Sequence, residues 1–224
     1  VKLPGNWGDE LIFRGMEKKL GESEISFQDI SEFKGFRKGC KPSSIPSIDE
    51  RIRAISEKTE TFYIHGGGNF NDIYSFSVDW LKTLDKFSDG RIVVGPQSIF
   101  FQNKSPESIF ENIENEVYFF CRENYSYEKM KDIEEFFQNL NVYKYPDTSF
   151  YLRQPDFEGS KDEDYDLISF RKDLESSEPI SKTSNALRPI QKDISVKSRD
   201  FQEFVEYVAS ARKIETDRLH IAIL

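Results

Sequence analysis

The sequence predicts an α/β protein with two Rossmann-like domains, each built around a parallel sheet. Short apolar runs alternate with helical patterns over about the first 150 residues, and this alternation is typical of βαβ units. A second, shorter α/β pattern follows a polar, acidic stretch. The length of 224 residues also fits two modest domains. We therefore expect an N-terminal domain over 1–152, a linker over 153–164 and a C-terminal domain over 165–224.

The strands of the N-terminal domain are predicted from four apolar runs, at 61–65, 91–95, 117–121 and 142–145. Helical patterns separate these runs at 77–87, 106–115 and 126–140, and Ser126 is the expected N-cap of the last helix. Because a helix between two strands returns the chain to the same end of the sheet, neighbouring strands are expected to be parallel.

The C-terminal domain is predicted from fewer elements. The linker before it contains Pro155 and Gly159, which interrupt regular structure. The elements that follow are a strand at 166–170, a long loop at 175–197, a helix at 198–212 and a strand at 213–216. The apolar residues 221–224 then begin a helix at which the sequence stops. We expect this domain to be incomplete and the chain to be part of a longer gene product.

The charge balance argues against two classes of partner. Asp and Glu outnumber Lys and Arg by 40 to 31, which gives a formal net charge of −9, and no basic run is present. Nucleic acid and anionic membrane surfaces would therefore be repelled. With 37% hydrophobic residues the chain has enough apolar material for packed cores. An anionic small ligand stays compatible with this composition, since one pocket can gather a few arginines.

Cysteine and histidine are both sparse. Cys40 and Cys121 cannot form a disulfide framework, and Cys121 lies in an apolar strand pattern where a buried, unreactive thiol is expected. Two histidines without a cysteine cluster do not suggest a metal site, and neither a metal nor a cofactor is predicted. The sequence shows no apolar stretch of transmembrane length and no signal peptide, so a reducing, cytoplasmic setting is expected.

Two glycine-containing turns adjoin predicted strands and helices. Asn6 and Asp9 flank the first turn, where they could cap the following helix or accept hydrogen bonds from sugar hydroxyls. His65 precedes the second turn, which consists of Gly66, Gly67, Gly68 and Asn69. Exposed N–H groups in such a turn can form an anion-binding nest, and an ordinary tight turn is the alternative. The turn lacks a P-loop lysine and the dinucleotide fingerprint, so ATP and NAD are not predicted ligands.

Three arginines stand at the ends of predicted strands, where open α/β sheets bind ligands: Arg122, Arg171 and Arg218. Each alone is typical of a structural ion pair, whereas three together would suit a ligand with both phosphate and carboxylate groups. His220 follows Arg218 by two positions and can transfer protons near neutral pH, although packing within a helix is the alternative. We expect the three arginines and the 66–69 turn to line one interdomain cleft.

Taken in order, six short segments resemble motifs of the polysaccharide pyruvyl transferase family. They are Asn6-Trp7-Gly8-Asp9, Gly66-Gly67-Gly68-Asn69, Gly95-Pro96-Gln97-Ser98, Arg122-Glu123 with Ser126, Pro146-Asp147, and Thr216-Asp217-Arg218-Leu219-His220. The resemblance implies two Rossmann-like domains in a GT-B-like arrangement. It also implies phosphoenolpyruvate as the donor substrate, with pyruvate transferred as a ketal onto a sugar of a glycan or lipid-linked intermediate.

The resemblance further implies roles for single residues. Arg122 matches the family arginine that precedes a Glu/Asp-x-x-Ser pattern, and Arg218 and His220 match its Arg-Leu-His element, which is linked to donor binding or catalysis. We therefore expect His220 and Arg218 to be catalytic. The expected donor-binding set is Arg122, Arg171, Arg218, Gly66, Gly67, Gly68 and Asn69. The expected acceptor-binding set is Asn6, Asp9 and His65.

Two other functions fit the same sequence. One is a GT-B-type glycosyltransferase that uses a nucleotide sugar, and the other is a non-catalytic carbohydrate-binding protein of the same fold. Peripheral association with a membrane-bound glycan assembly, at the inner face of the membrane, is compatible with each of them. The acceptor sugar and the oligomeric state stay open at this point.

Overall fold

The protein forms two compact units in a computed structural model that describes residues 6–21, 41–153, 165–171 and 188–224. One unit contains Lys19–Thr148, and the other contains Gly5–Lys18 together with Ser149–Leu224. Both are α/β units with parallel strands, which confirms the predicted fold class. The GT-B-like arrangement of the two units stays a prediction.

The sheet of the first unit is entirely parallel. Its strands are β1 (Thr61–Ile64), β2 (Gly67–Asn71), β3 (Arg91–Phe100), β4 (Val117–Cys121) and β5 (Leu140–Lys144). Strands β1 and β2 follow one another along the same side of β3, and β4 and β5 continue the sheet on its other side. The four strands predicted for this domain are therefore confirmed, and β3 is longer than expected because it continues through the Gly95–Ser98 segment.

The helices of this unit are α2 (Ile48–Ser56), α3 (Phe76–Phe87), α4 (Glu107–Phe110) and α5 (Asn124–Glu134), with a short 3₁₀ helix at Pro42–Ser44. Helix α5 begins two residues before the predicted start, and its N-cap is Glu123 rather than Ser126. The Glu123 carboxylate accepts a hydrogen bond from the backbone N–H of Ser126. Ser126 is instead buried, and its hydroxyl accepts a hydrogen bond from Ile99 N.

The core of the first unit lies between the sheet and its helices. Alternate residues of β4 are fully buried, which places Val117, Phe119 and Cys121 on the covered face. Trp80 on α3 and Phe70 on β2 complete this core. Burial raises the pKa of the Cys121 thiol to about 12, so the thiol stays protonated and unreactive at neutral pH, as the sequence predicts.

The second unit contains a three-stranded parallel sheet in the order β7 (Ile190–Gln191), β6 (Tyr165–Ser169), β8 (Ala211–Thr216). Its helices are α1 (Trp7–Leu20), α6 (Ile194–Lys197), α7 (Phe201–Ala209) and α8 (Leu219–Ile223), and a 3₁₀ helix spans Thr148–Tyr151. Two short elements, β7 and α6, replace the end of the loop expected at 175–197. Residues 154–164 of the expected linker and 175–187 of that loop lie outside the described residues.

Helix α1 packs in the second unit, although its sequence position falls in the expected domain 1–152. Leu11 shares a buried apolar cluster with Leu167 of β6, Phe204 of α7 and Ile221 of α8. The Trp7 indole donates a hydrogen bond of 3.0 Å to the backbone oxygen of Ser198. Burial of this apolar face, which sequence position cannot reveal, assigns the segment Gly5–Lys18 to the second unit.

We expect Gly66→Ala to destabilise the first unit, because a Cβ at this position would lie 2.5 Å from the backbone oxygen of Pro96. Overpacking against backbone typically costs about 1–3 kcal/mol. Gly68→Ala is the matched control, since its Cβ would make only an ordinary 3.6 Å contact with Arg122 Nη2. Urea denaturation measures both free energies of unfolding, and equal values for the two variants would contradict the prediction.

Candidate functional site

Arg122 lies at the carboxyl end of β4. Its guanidinium is fixed by one residue of β3 and by one residue that follows β5. Its Nε donates a hydrogen bond of 2.7 Å to the Ser98 hydroxyl near the end of β3. Its Nη1 lies 2.8 Å from an oxygen of the Asp147 carboxylate, three residues after β5. Because β3, β4 and β5 are parallel, their carboxyl ends share one edge of the sheet, and the guanidinium is held at that edge, where open α/β sheets bind ligands.

The glycine segment 66–69, whose last three residues belong to β2, lies beside this guanidinium. Arg122 Nη2 is 3.6 Å from the position that a Cβ of Gly68 would occupy. Gly67 has a φ of 146°, a conformation that favours glycine, and the Asn71 amide donates a 2.6 Å hydrogen bond to the Gly68 carbonyl oxygen. The first unit therefore brings Arg122 and the 66–69 segment together, but the expected turn is wrong for Gly67, Gly68 and Asn69, which lie in β2 because this segment pairs with β3.

The side chains of Tyr63 and Asp147 determine the charge near Arg122. Burial raises the pKa of the Tyr63 phenol well above its usual value, and the nearby charge of Asp147 adds to this effect. The phenol therefore stays protonated. Asp147 is only 3% exposed, and its buried negative charge is compensated by the ion pair with Arg122.

The Glu123-x-x-Ser126 pattern after Arg122 has a structural role. The Glu123 carboxylate accepts hydrogen bonds from both the N–H and the hydroxyl of Ser126, which closes the first turn of α5. The Ser126 hydroxyl also accepts a 2.9 Å hydrogen bond from Ile99 N on β3. These bonds fix the β4–α5 junction, and with it the backbone from which the Arg122 side chain projects.

In the second unit, Arg218 forms a buried ion pair with Asp193. Its Nε donates at 3.2 Å to one carboxylate oxygen and its Nη2 at 2.6 Å to the other. Arg218 is 6% exposed and Asp193 is 8% exposed, so both charges are largely withdrawn from water. The backbone N–H of Arg218 also donates to the Thr216 hydroxyl, which itself donates to the carbonyl oxygen of Ser169 on β6. Arg218 therefore forms the structural ion pair that the sequence analysis gave as the alternative to a ligand contact, and its partner is Asp193.

His220, the second residue of α8, lies against the first turn of α1. Its Nδ1 is 2.8 Å from the position that a Cβ of Gly8 would occupy. The same turn is capped reciprocally: the Asn6 side-chain oxygen accepts from Gly8 N, and the Asp9 carboxylate accepts from Asn6 N, each at 2.8 Å. The first and last motifs of the chain therefore meet, with Asn6 and Asp9 acting as helix caps.

Arg171 lies in the second unit, at the end of β6, and His65 lies in the first unit. The Arg171 backbone N–H donates a 2.8 Å hydrogen bond to the Asp217 carboxylate, which joins the ends of β6 and β8. His65 is fully buried in the first unit, and its carbonyl oxygen accepts from the Gln97 side chain at 3.0 Å. Such burial favours a structural role for His65, which directly precedes Gly66. A shared cleft for Arg122, Arg171 and Arg218 stays a prediction.

Sequence reasoning assigned no site role to Ser98, Asp147 and Asp193, whose side chains bind the guanidinium groups of Arg122 and Arg218. Ser98 and Asp147 lie within the matched motifs, so their positions at strand ends were a usable signal. Asp193 lies in a segment expected to be loop, where the sequence shows no pattern that pairs it with Arg218. In the part of the chain that the structure describes, no group of three or more His, Cys, Asp or Glu side chains is placed to hold a metal ion.

Known proteins similar to this chain extend these observations. The sequence model of the family described as "Polysaccharide pyruvyl transferase" matches residues 6–224. A 106-residue segment is 31% identical to the Bacillus subtilis (strain 168) protein named "Putative pyruvyl transferase EpsO", and covers 46% of this chain and 28% of that relative. The match thus spans less than a third of the relative's length.

A solved structure has a similar fold. It is that of a functionally uncharacterised protein from Klebsiella pneumoniae, with a TM-score of 0.60 and 20% sequence identity over 99% of this chain and 76% of that one. At this identity the likeness supports the α/β fold alone. None of the described helices is both long and apolar enough to cross a membrane. Since the family match extends over nearly the whole sequence, the chain belongs to the polysaccharide pyruvyl transferase family.

Proposed function

We propose that the protein transfers pyruvate from phosphoenolpyruvate to a sugar of a polysaccharide or lipid-linked glycan, where it forms a ketal. The observation that carries the proposal is the Arg122 site. Ser98 and Asp147 hold this guanidinium at the ligand-binding edge of a parallel sheet, and Gly68 on β2 leaves space beside Nη2. An arginine held in this way is suited to a phosphate or carboxylate group.

The proposed reaction has two steps. The methylene carbon of phosphoenolpyruvate gains a proton, and the resulting cationic C2 is attacked by one sugar hydroxyl. A second hydroxyl then displaces phosphate at the same carbon and closes the ketal. The products are the pyruvyl ketal and inorganic phosphate, and the reaction needs no oxidant or reductant.

In this proposal the chain's residues act on different parts of the reaction. Arg122 binds an anionic group of the donor, with Arg171 as a further donor contact. His220 moves the proton, because imidazole can act as both acid and base near neutral pH. Arg218 contributes positive charge to the donor anion while it keeps its pair with Asp193. Asn6 and Asp9 contact the acceptor through Nδ2 of Asn6 and Oδ1 of Asp9, since capping uses the other polar atom of each side chain.

We expect phosphoenolpyruvate to raise the melting temperature, and Arg122→Gln to remove most of this effect. A ligand at about 100 times its Kd stabilises the folded state by about 2.7 kcal/mol. Loss of a charged hydrogen bond costs about 1.5–3 kcal/mol, or about tenfold to a hundredfold in affinity. Arg91→Gln is the matched control, because Arg91 lies at the amino end of β3 and its side chain is 62% exposed.

The same measurement separates the alternatives. Stabilisation by nucleotide sugars but not by phosphoenolpyruvate would overturn the proposal in favour of a glycosyltransferase. Stabilisation by neither ligand, with glycan binding retained, would favour the non-catalytic alternative. Release of inorganic phosphate from phosphoenolpyruvate, measured in the presence of candidate glycans, tests the transfer itself.

A further inference from the structure

The first turn of α1 and the first turn of α8 meet at Gly8. A Cβ added to Gly8 would lie 2.8 Å from His220 Nδ1, 2.9 Å from the capping oxygen Oδ1 of Asn6 and 3.0 Å from His220 Cβ. Observed Cβ contacts are essentially never shorter than 3.0 Å, so a side chain at position 8 and the present position of His220 exclude each other. The imidazole therefore occupies space that only glycine leaves open.

Neither helix can easily move to relieve such a contact. Helix α1 is anchored by the hydrogen bond from Trp7 to Ser198 and by Leu11, which is 1% exposed. Helix α8 is anchored by the ion pair of Arg218 and by Ile221, which is also 1% exposed and belongs to the same apolar cluster as Leu11. Because both backbones are anchored, an added methyl group is expected to displace the side chains that it meets, those of His220 and Asn6.

We propose that Gly8 is a positioning residue for His220: the missing side chain at the start of α1 fixes where the imidazole lies. The proposal deepens the proposed function, on which the catalytic part of its test rests. It also explains a local conflict in the sequence. Glycine is a poorer helix former than alanine, and here it occupies the first turn of a 14-residue helix whose caps are otherwise well formed.

The test is a double-mutant cycle on the pyruvyl transfer reaction. We expect Gly8→Ala to lower kcat about tenfold or more and to change the KM for phosphoenolpyruvate less than about threefold, since a displacement near 1 Å can cost a hundredfold in rate. In a His220→Ala background the same substitution is expected to change kcat less than about twofold. An unchanged kcat in the single variant, or equal losses in both backgrounds, would overturn the proposal.

A second readout does not depend on activity. The sequence has only two histidines, so NMR of the imidazole protons gives one signal set for His220 and one for His65. Gly8→Ala is expected to shift the His220 signals and to leave those of His65, in the other unit, in place. Unshifted His220 signals would contradict the contact even if the proposed reaction proves wrong.

A loss of folding in Gly8→Ala is also informative. If the clash with the imidazole is its main cause, then the Gly8→Ala/His220→Ala double variant, which keeps the Cβ of residue 220 and the Asn6 cap, regains most of the lost melting temperature. A double variant that stays as unstable as Gly8→Ala would show that position 8 acts through α1 itself, by its backbone or its Asn6 cap, and would overturn the proposal. If the wild-type protein shows no pyruvyl transfer, the proposed function fails, and the NMR and melting experiments still decide the role of Gly8.

Discussion

His220→Ala is expected to lower kcat for pyruvyl transfer by about a hundredfold or more, with little change in the affinity for phosphoenolpyruvate. A positioned acid or base typically contributes on the order of 10²- to 10⁴-fold to a rate. The donor anion is expected to be held by arginines rather than by the imidazole, so donor binding should survive. Steady-state kinetics and a melting curve with phosphoenolpyruvate measure the two effects separately.

The control for this variant is Lys213→Ala on β8. Lys213 is 51% exposed and pairs with Glu215, in the strand that leads to the Arg218 element. We expect it to retain wild-type kcat. Near-wild-type turnover in a correctly folded His220→Ala protein would contradict the catalytic role and leave His220 as a packing residue.

Asp193→Ala is expected to destabilise the second unit by about 3–5 kcal/mol. The substitution leaves the Arg218 guanidinium buried without the carboxylate that binds both Nε and Nη2, and an uncompensated buried charge is costly. Urea denaturation followed by circular dichroism measures the loss. The exposed pair of Lys213 and Glu215 serves as the comparison, since removing Lys213 should cost less than about 1 kcal/mol.

A double replacement tests the physical reason for this loss. Exchange of Asp193 and Arg218 together for apolar residues of similar size removes both charges, and such exchanges are often neutral or stabilising. We therefore expect Asp193→Leu/Arg218→Met to regain most of the stability that Asp193→Ala loses. Equal instability of the single and double variants would contradict an electrostatic origin.

Local sequence patterns were sufficient for four of the five strands of the first unit. Strand β2 was expected as a turn, α2 was not predicted, and the helix expected at 106–115 spans only Glu107–Phe110. The apolar runs that form β1, β3, β4 and β5 predicted both the positions of these strands and their parallel pairing. Strands that are buried between helices have continuous apolar runs, and this pattern is local to each strand. Element ends were less well predicted. Helix α5 starts before Ser126 because Glu123 offers a better cap, and that choice depends on the bond between Ser126 and Ile99 of another strand.

The ordered motifs by themselves determined the fold class, the family and the residue types of the site, because glycine-rich segments and strand-end arginines are local features. Only the tertiary structure decided which partner each of them has. Asp193 pairs with Arg218 across 25 residues, and Gly8 adjoins His220 across more than 200. Such contacts follow from burial of apolar faces such as that of Leu11, which brings α1 to the second unit. Burial depends on the summed surface of many elements, so no short segment of sequence specifies it.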